Sequence, residues 1–174
     1  VILPDRTVLV CNGSGFDEAG NAATLTAEIY DPIANTWTLT APANRVRLYH
    51  SVALLLPDGR VVTTGGNPRR LNECDSNGNL PGTPSLPCED RQIEIYSPPY
   101  ISQTRPTIQN APAEISLGNT FTVTTPQAQN IQWVSLIRPM ATTHGLDTEQ
   151  RLVDLPIASR TSTSLSVTLT SNRN

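Results

Sequence analysis

The stretch Leu3-Pro4-Asp5-Arg6-Thr7-Val8-Leu9-Val10 recurs as Leu56-Pro57-Asp58-Gly59-Arg60-Val61-Val62-Thr63, and Ala27-Glu28-Ile29-Tyr30 recurs within Gln92-Ile93-Glu94-Ile95-Tyr96. Each copy of the first stretch sets a Pro-Asp turn ahead of an apolar, β-branched run, which is the pattern of a strand entered from a tight turn. Asp58-Gly59 predicts a hairpin between strands over Ser51 to Leu56 and Arg60 to Thr63, because glycine accepts the positive φ that the turn requires. Self-similarity at a period of about 50 residues indicates repeated β units rather than a single closed sheet.

The composition agrees with this reading. Fifteen prolines and ten glycines interrupt short Val/Ile/Leu runs, and no segment has a convincing amphipathic helical pattern, so the chain is expected to be all-β. The period is that of the kelch repeat of β-propellers. Tyr30-Asp31-Pro32 followed by Trp37 in the first unit, and Gly65-Gly66 in the second, supply the parts of such a blade, although neither unit is complete. Propellers close with typically four to eight blades, and an open one leaves strand edges exposed, so further blades are expected upstream. Val1 reads as the middle of a repeat, which places the expected N-terminus and any signal peptide before it.

After Tyr96-Ser97-Pro98-Pro99-Tyr100 and Arg105-Pro106 the pattern changes, since adjacent prolines cannot continue a strand ladder. Short strands are expected over Glu114 to Leu117, Phe121 to Thr125, Ile131 to Arg138, Gln150 to Leu155 and Ser164 to Thr170, with the clearest alternation at Leu165, Val167 and Leu169. A helix-free run of such strands points to an immunoglobulin-like sandwich, which needs about seven and is here expected to be incomplete. The chain thus divides into propeller blades over 1–104 and a truncated sandwich over 105–174.

A net charge of −3 and a pI near 5.3 give nucleic-acid binding no support. No apolar run approaches the roughly 20 residues that cross a bilayer as a helix. Of three cysteines, Cys74 and Cys88 bracket an Asn-, Gly- and Pro-rich loop with no apolar core of its own. A disulfide between them is the economical reading and implies an oxidising, extracellular compartment; the alternative is two free thiols. Cys11 closes an apolar run and reads as an inert core thiol.

The two histidines are His50, in Arg47-Leu48-Tyr49-His50-Ser51 ahead of a strand, and His144, in the connection between two sandwich strands. Imidazole nitrogens with a phenolate oxygen from Tyr49 would suit Cu(II), but two lone histidines are more often structural. Neighbouring residues on a regular strand point to opposite faces, so Tyr49 and His50 can share one ion only where the strand entrance is bent. The spacing leaves both readings open.

The segment Arg47-Leu48-Tyr49-His50-Ser51-Val52-Ala53-Leu54-Leu55-Leu56-Pro57-Asp58-Gly59-Arg60-Val61 resembles the copper-binding segment of galactose oxidase and, more closely, glyoxal oxidase. Tyr96 to Tyr100, Arg105 to Ile108, Val134 to Pro139 and Thr143 to Leu152 resemble the early-set domain of that family, in the same order. The resemblance implies Tyr49 as axial copper ligand and catalytic proton acceptor, with His50 and His144 as equatorial ligands. His144 would arrive on a hairpin that the sandwich sends up the propeller axis. It further implies a Cys–Tyr cross-linked radical cofactor, expected upstream, to which neither Cys11 nor Tyr30 is assigned.

The intact protein would then be a secreted oxidase that turns a primary alcohol or an aldehyde, with O2, into its oxidation product and hydrogen peroxide, while these 174 residues alone are expected to be inactive. Arg45 and Arg47 are left out as substrate anchors, because arginines flanking strands are usually solvated. The rival reading is a non-catalytic propeller that binds cell-wall carbohydrate or another protein and retains the ligand motif as ancestry.

Overall fold

The computed structural model describes residues 1–15, 22–66, 79–80, 83–87, 89–141, 147 and 149–171, and the chain separates into two compact units. The first comprises Val1–Tyr100 together with Pro139–Gln150; the second comprises Ile101–Arg138 and Arg151–Asn174. Among the described residues the fold is all-β apart from short 3-10 turns, among them Pro99–Ser102 and Ala128–Asn130. No helix among them is long and apolar enough to cross a membrane.

In the first unit, strands β1 (Val8–Val10), β2 (Ala27–Asp31) and β3 (Thr36–Thr40) form one antiparallel sheet in that order. Strands β4 (Ser51–Leu55), β5 (Val61–Gly65) and β8 (Glu94–Tyr96) form a second. Between β5 and β8, β6 (Asn79–Leu80) pairs with β7 (Thr83–Pro87), so part of the region read as a coreless loop carries a short ladder.

The sequence repeat is a structural repeat down to single hydrogen bonds. Val8 lies opposite Tyr30 and Leu9 opposite Ile29, just as Val61 lies opposite Tyr96 and Val62 opposite Ile95. The turn ahead of β1 is closed by Leu3 N donating to Thr7 O at 2.8 Å and Arg6 N to Leu3 O at 3.0 Å. Ahead of β5, Leu56 N donates to Arg60 O at 2.8 Å and Gly59 N to Leu56 O at 2.9 Å. Asp5 and Asp58 each accept a backbone N–H two residues on, at 3.1 and 3.0 Å. Gly59 has φ +87°, as the hairpin reading requires, and Arg6 adopts φ +72° at the equivalent place. After the strands the match continues, with Asn12 and Gly13 at φ +67° and +98° and Gly65 and Gly66 at +67° and +118°.

The Tyr-Asp-Pro element closes the β2–β3 hairpin. The Asp31 carboxylate accepts from Ile33 N and Ala34 N at 2.8 and 3.0 Å, and the Tyr30 and Trp37 rings lie 4.8 Å apart. The two sheets share one core, in which Leu3, Leu9, Ala27 and Val61 are buried and Cys11, Leu55, Tyr96 and Tyr100 pack around them. Burying this apolar surface is what holds the two repeats against each other.

In the second unit, β9 (Thr120–Thr124), β13 (Ser164–Thr168) and β12 (Ile157–Arg160) form one sheet in the order β12-β13-β9, and β10 (Val134–Ile137) pairs with β11 (Leu152–Leu155). Val123, Leu165 and Val167 from the first sheet meet Leu155 and Val134 from the second, with Ala128 completing the layer. The alternation expected at Leu165 and Val167 is observed, since both are almost wholly buried.

Two expectations are corrected. The segment from Glu114 to Leu117 is not a strand: Asn119 N bonds Ser116 O at 3.1 Å, forming a turn whose Gly118 has φ +78°. Conversely, Ile157–Arg160 is a strand, because at Pro156 the chain leaves the partner of β11 and continues in the other sheet, the corner by which one run can serve two layers.

Candidate metal centre

Tyr49 and His50 occupy a turn between Arg47 and the start of β4. Ser51 N donates to Leu48 O at 3.1 Å, and His50 takes φ +63°, a left-handed conformation that few non-glycine residues adopt. This bend reverses the usual strand alternation and brings the two side chains together. Their ring centroids are 3.8 Å apart with 30° between the planes, and both residues are exposed. The condition set by the sequence, a bent strand entrance, is therefore met.

The bend is held from beneath by the glycine doublet. A Cβ on Gly65 would stand 2.7 Å from the His50 carbonyl oxygen, and one on Gly66 would stand 3.2 Å from the Arg47 α-carbon. Only glycine lets the end of β5 approach the turn this closely.

Arg47 holds the turn from its other side, and here the sequence reading is corrected: the residue is 1% exposed, not solvated. Its guanidinium donates from Nη1 to Gly65 O at 2.7 Å, from Nη2 to Gln92 O at 2.9 Å and from Nε to the Glu94 carboxylate at 3.2 Å. Glu94 also accepts Asn44 N at 2.7 Å, and Arg45 pairs with Asp90 at 3.7 Å. A buried guanidinium is tolerated because each face of its fork finds an acceptor. No signal in the sequence isolates this set, since the partners of Arg47 lie in distant parts of the chain.

The rings of Tyr49 and His50 line a cavity of about 540 Å³ within the first unit, together with Cys11, Asn12, Met140 and Asp147. The excursion from Pro139 to Gln150 contributes to its wall and is tied to that unit. Leu55 N donates to Met140 Sδ at 3.2 Å, and the Gln150 side chain accepts from Ile2 N at 2.7 Å while donating to Ile2 O at 2.9 Å. Asp147 Oδ1 accepts from Glu149 N and Gln150 N, whereas Asp147 Oδ2 and Asn12 Oδ1 are buried without a partner among the described residues. Burial pushes the Cys11 thiol above its ordinary value, with Arg47 drawing it part of the way back.

His144 lies outside the described residues, as do Cys74 and Cys88, so the structure brings together Tyr49 and His50 of the expected ligands. An imidazole and a phenol side by side at a cavity wall fit a metal that takes nitrogen and oxygen donors, and Cu(II) is such an ion. Among the described residues no group of three or more His, Cys, Asp or Glu gathers elsewhere as a rival metal site.

The repeat-built first unit, the small sandwich of the second and the Tyr–His pair at a cavity wall were compared with known proteins. Residues 1–100 match the glyoxal oxidase N-terminus family, and residues 105–174 match the galactose oxidase-like, early set domain family. The chain belongs to the galactose oxidase and glyoxal oxidase family of copper-radical oxidases.

Relatives include a galactose oxidase of Gibberella zeae, 31% identical over 166 residues, covering 90% of this chain and 22% of that protein. The aldehyde oxidase GLOX1 of Arabidopsis thaliana is 32% identical over 175 residues, covering 90% of this chain and 27% of that protein. A solved fungal alcohol oxidase of the AA5 family, in complex with copper, superposes with a TM-score of 0.76 at 27% identity, covering 98% of this chain and 35% of that one. The chain thus spans roughly a fifth to a third of the length of these proteins.

Proposed function

We propose that this chain is the C-terminal part of a secreted copper-radical oxidase acting on a primary alcohol or an aldehyde, closer to glyoxal oxidase than to galactose oxidase. Residues 1–104 would supply the last kelch blades of its propeller, and residues 105–174 its early-set sandwich. The observation that carries the reading is the left-handed turn at His50, which sets the Tyr49 and His50 rings 3.8 Å apart at one cavity wall. The match of residues 1–100 to the glyoxal oxidase N-terminus supports the finer assignment.

Tyr49, His50 and His144 would hold the copper. When bound, the copper with its cross-linked tyrosyl radical would take two electrons from the substrate and pass them to O2, giving hydrogen peroxide. The role of Tyr49 is then to accept the proton of the substrate hydroxyl at its phenolate oxygen, since a phenolate gains a proton to become a neutral phenol. Imidazoles at His50 and His144 would keep two nitrogen donors fixed while that proton moves. Extracellular location is proposed from the expected Cys74–Cys88 disulfide, which mass spectrometry of non-reduced, alkylated protein would detect as a linked peptide.

The test is Tyr49→Phe in the full-length protein. Copper content is expected to be retained, while turnover, followed as hydrogen peroxide release, falls by about 10²- to 10⁴-fold, the usual contribution of a general base. Unchanged turnover would remove Tyr49 from the chemistry. Absence of any bound copper in the unaltered protein would favour the non-catalytic carbohydrate- or protein-binding reading.

A further inference from the structure

We infer that Arg47 is a positioning residue for the metal centre: its guanidinium sets where Tyr49 and His50 present their donor atoms. The inference rests on the copper-site reading above. Three observations converge on it.

First, Arg47 is connected through the backbone to Tyr49 by a single intervening residue, Leu48, which is itself buried, so little slack separates the guanidinium from the turn. Second, the acceptor of its 2.7 Å bond, Gly65 O, belongs to the residue on which a Cβ would stand 2.7 Å from the His50 carbonyl oxygen and which pairs with Ser51 across the β4–β5 ladder. The side chain of Arg47 and the backbone of His50 are thus referred to one and the same glycine. Third, the Arg47 carbonyl accepts Gly13 N at 3.0 Å, which couples the same residue to Asn12 and Gly13, which also line the cavity.

A left-handed histidine is not at its own conformational minimum, and it persists only where the surroundings fix it. In this unit the fixing groups are the Gly65–Gly66 doublet below and the Arg47 fork beside it. The fork reaches β5 through Gly65, the approach to β8 through Gln92 and β8 itself through Glu94, a set of bonds that the planar, multi-donor guanidinium suits better than the compact ammonium of lysine. Lysine at this position would keep the charge but lose the planar fork that meets these three acceptors, and the turn would lose its reference.

The test is Cu(II) binding and EPR on the full-length protein carrying Arg47→Lys, Glu94→Gln, His50→Asn or Arg60→Lys. Arg47→Lys is expected to raise the copper dissociation constant on the order of tenfold to a hundredfold, as loss of groups that orient metal ligands does, and to alter the copper hyperfine splitting. Glu94→Gln, which leaves Gly65 O and Gln92 O as acceptors, should shift both readouts the same way but less. Arg60→Lys, at an exposed Arg60–Asp58 pair, should shift neither. Folding of each variant is followed by its cooperative unfolding transition.

Wild-type affinity and splitting in a folded Arg47→Lys protein would overturn the inference, and so would loss of folding in both the Arg47 and Glu94 variants, which would assign the pair to stability alone. If His50→Asn also left copper binding unchanged, the copper-site reading itself would fall, a result distinct from failure of the Arg47 role.

Discussion

The carbonyl oxygen of His50 lies 2.7 Å from the point where a side chain on Gly65 would begin. Gly65 also has φ +67°, so alanine there meets both a backbone clash and a left-handed conformation that costs about 1–2 kcal/mol. Gly65→Ala is expected to destabilise the protein by more than 2 kcal/mol or so. Gly118→Ala, at φ +78° but with nothing among the described residues nearer than the Ser171 Cβ at 3.9 Å, should lose only about 1 kcal/mol. Denaturant midpoints compare the two, and equal losses would mean that the turn yields to Gly65 without strain.

Asn12 occupies the place in the first repeat that Gly65 holds in the second, at the same φ of +67°, with its Oδ1 buried and unpaired among the described residues. Asn12→Gly removes both penalties and is expected to raise stability by about 1 kcal/mol. A rise in melting temperature accompanied by a fall in turnover would mark the orphaned oxygen as retained for the cavity rather than for the fold. A drop in melting temperature would show that Asn12 is held by contacts worth more than those penalties.

Leu165 is 1% exposed at the centre of the second unit's core. Leu165→Ala is expected to cost about 2–5 kcal/mol through lost burial and the cavity left behind. Ile157 packs at the margin of the same core, and Ile157→Val should cost about 0.5–1.5 kcal/mol. The ordering of the two, read from urea unfolding, checks the placement of the core.

The Cys11 thiol is raised in the folded protein, chiefly by burial. A group that holds its proton more tightly when folded adds stability below its unfolded pKa and loses that contribution as pH climbs through the folded one. Stability should therefore decline above about pH 8.5, the ordinary thiol value, and the decline should be shallower in Cys11→Ala. Parallel urea midpoints for the two proteins between pH 8 and 10 would contradict this.

The parts of the fold that sequence makes plain are those set by neighbours along the chain. The Leu-Pro-Asp turn is legible because Asp5 and Asp58 bond to the backbone two residues on, so the whole device fits in one short stretch. Leu165 and Val167 are legible because burial on one face of a strand imposes a period of two. Ile157–Arg160 is hidden because the run that ends at Leu155 turns at Pro156 and then pairs in the other sheet.

The site divides in the same way. Tyr49 and His50 are recognisable as residue types, and the need for a bend follows from strand geometry, but the φ of His50 depends on Gly65, which is distant in sequence. The burial of Arg47 depends on Gln92 and Glu94, further still, so its chemistry reads as that of an ordinary surface arginine until the chain is folded.

The excursion from Pro139 to Gln150 belongs to the first unit although it is encoded inside the second. During synthesis, therefore, Val1–Tyr100 leaves the ribosome without the last piece of its own wall, and that piece arrives only after β10 has been made. At about 5–20 residues per second the wait is a matter of seconds, long compared with the closing of a hairpin. The cavity beside Tyr49 and His50 is completed late, by a segment that the growing chain has to hand back, so no order of emergence lets the first unit finish before the second has begun.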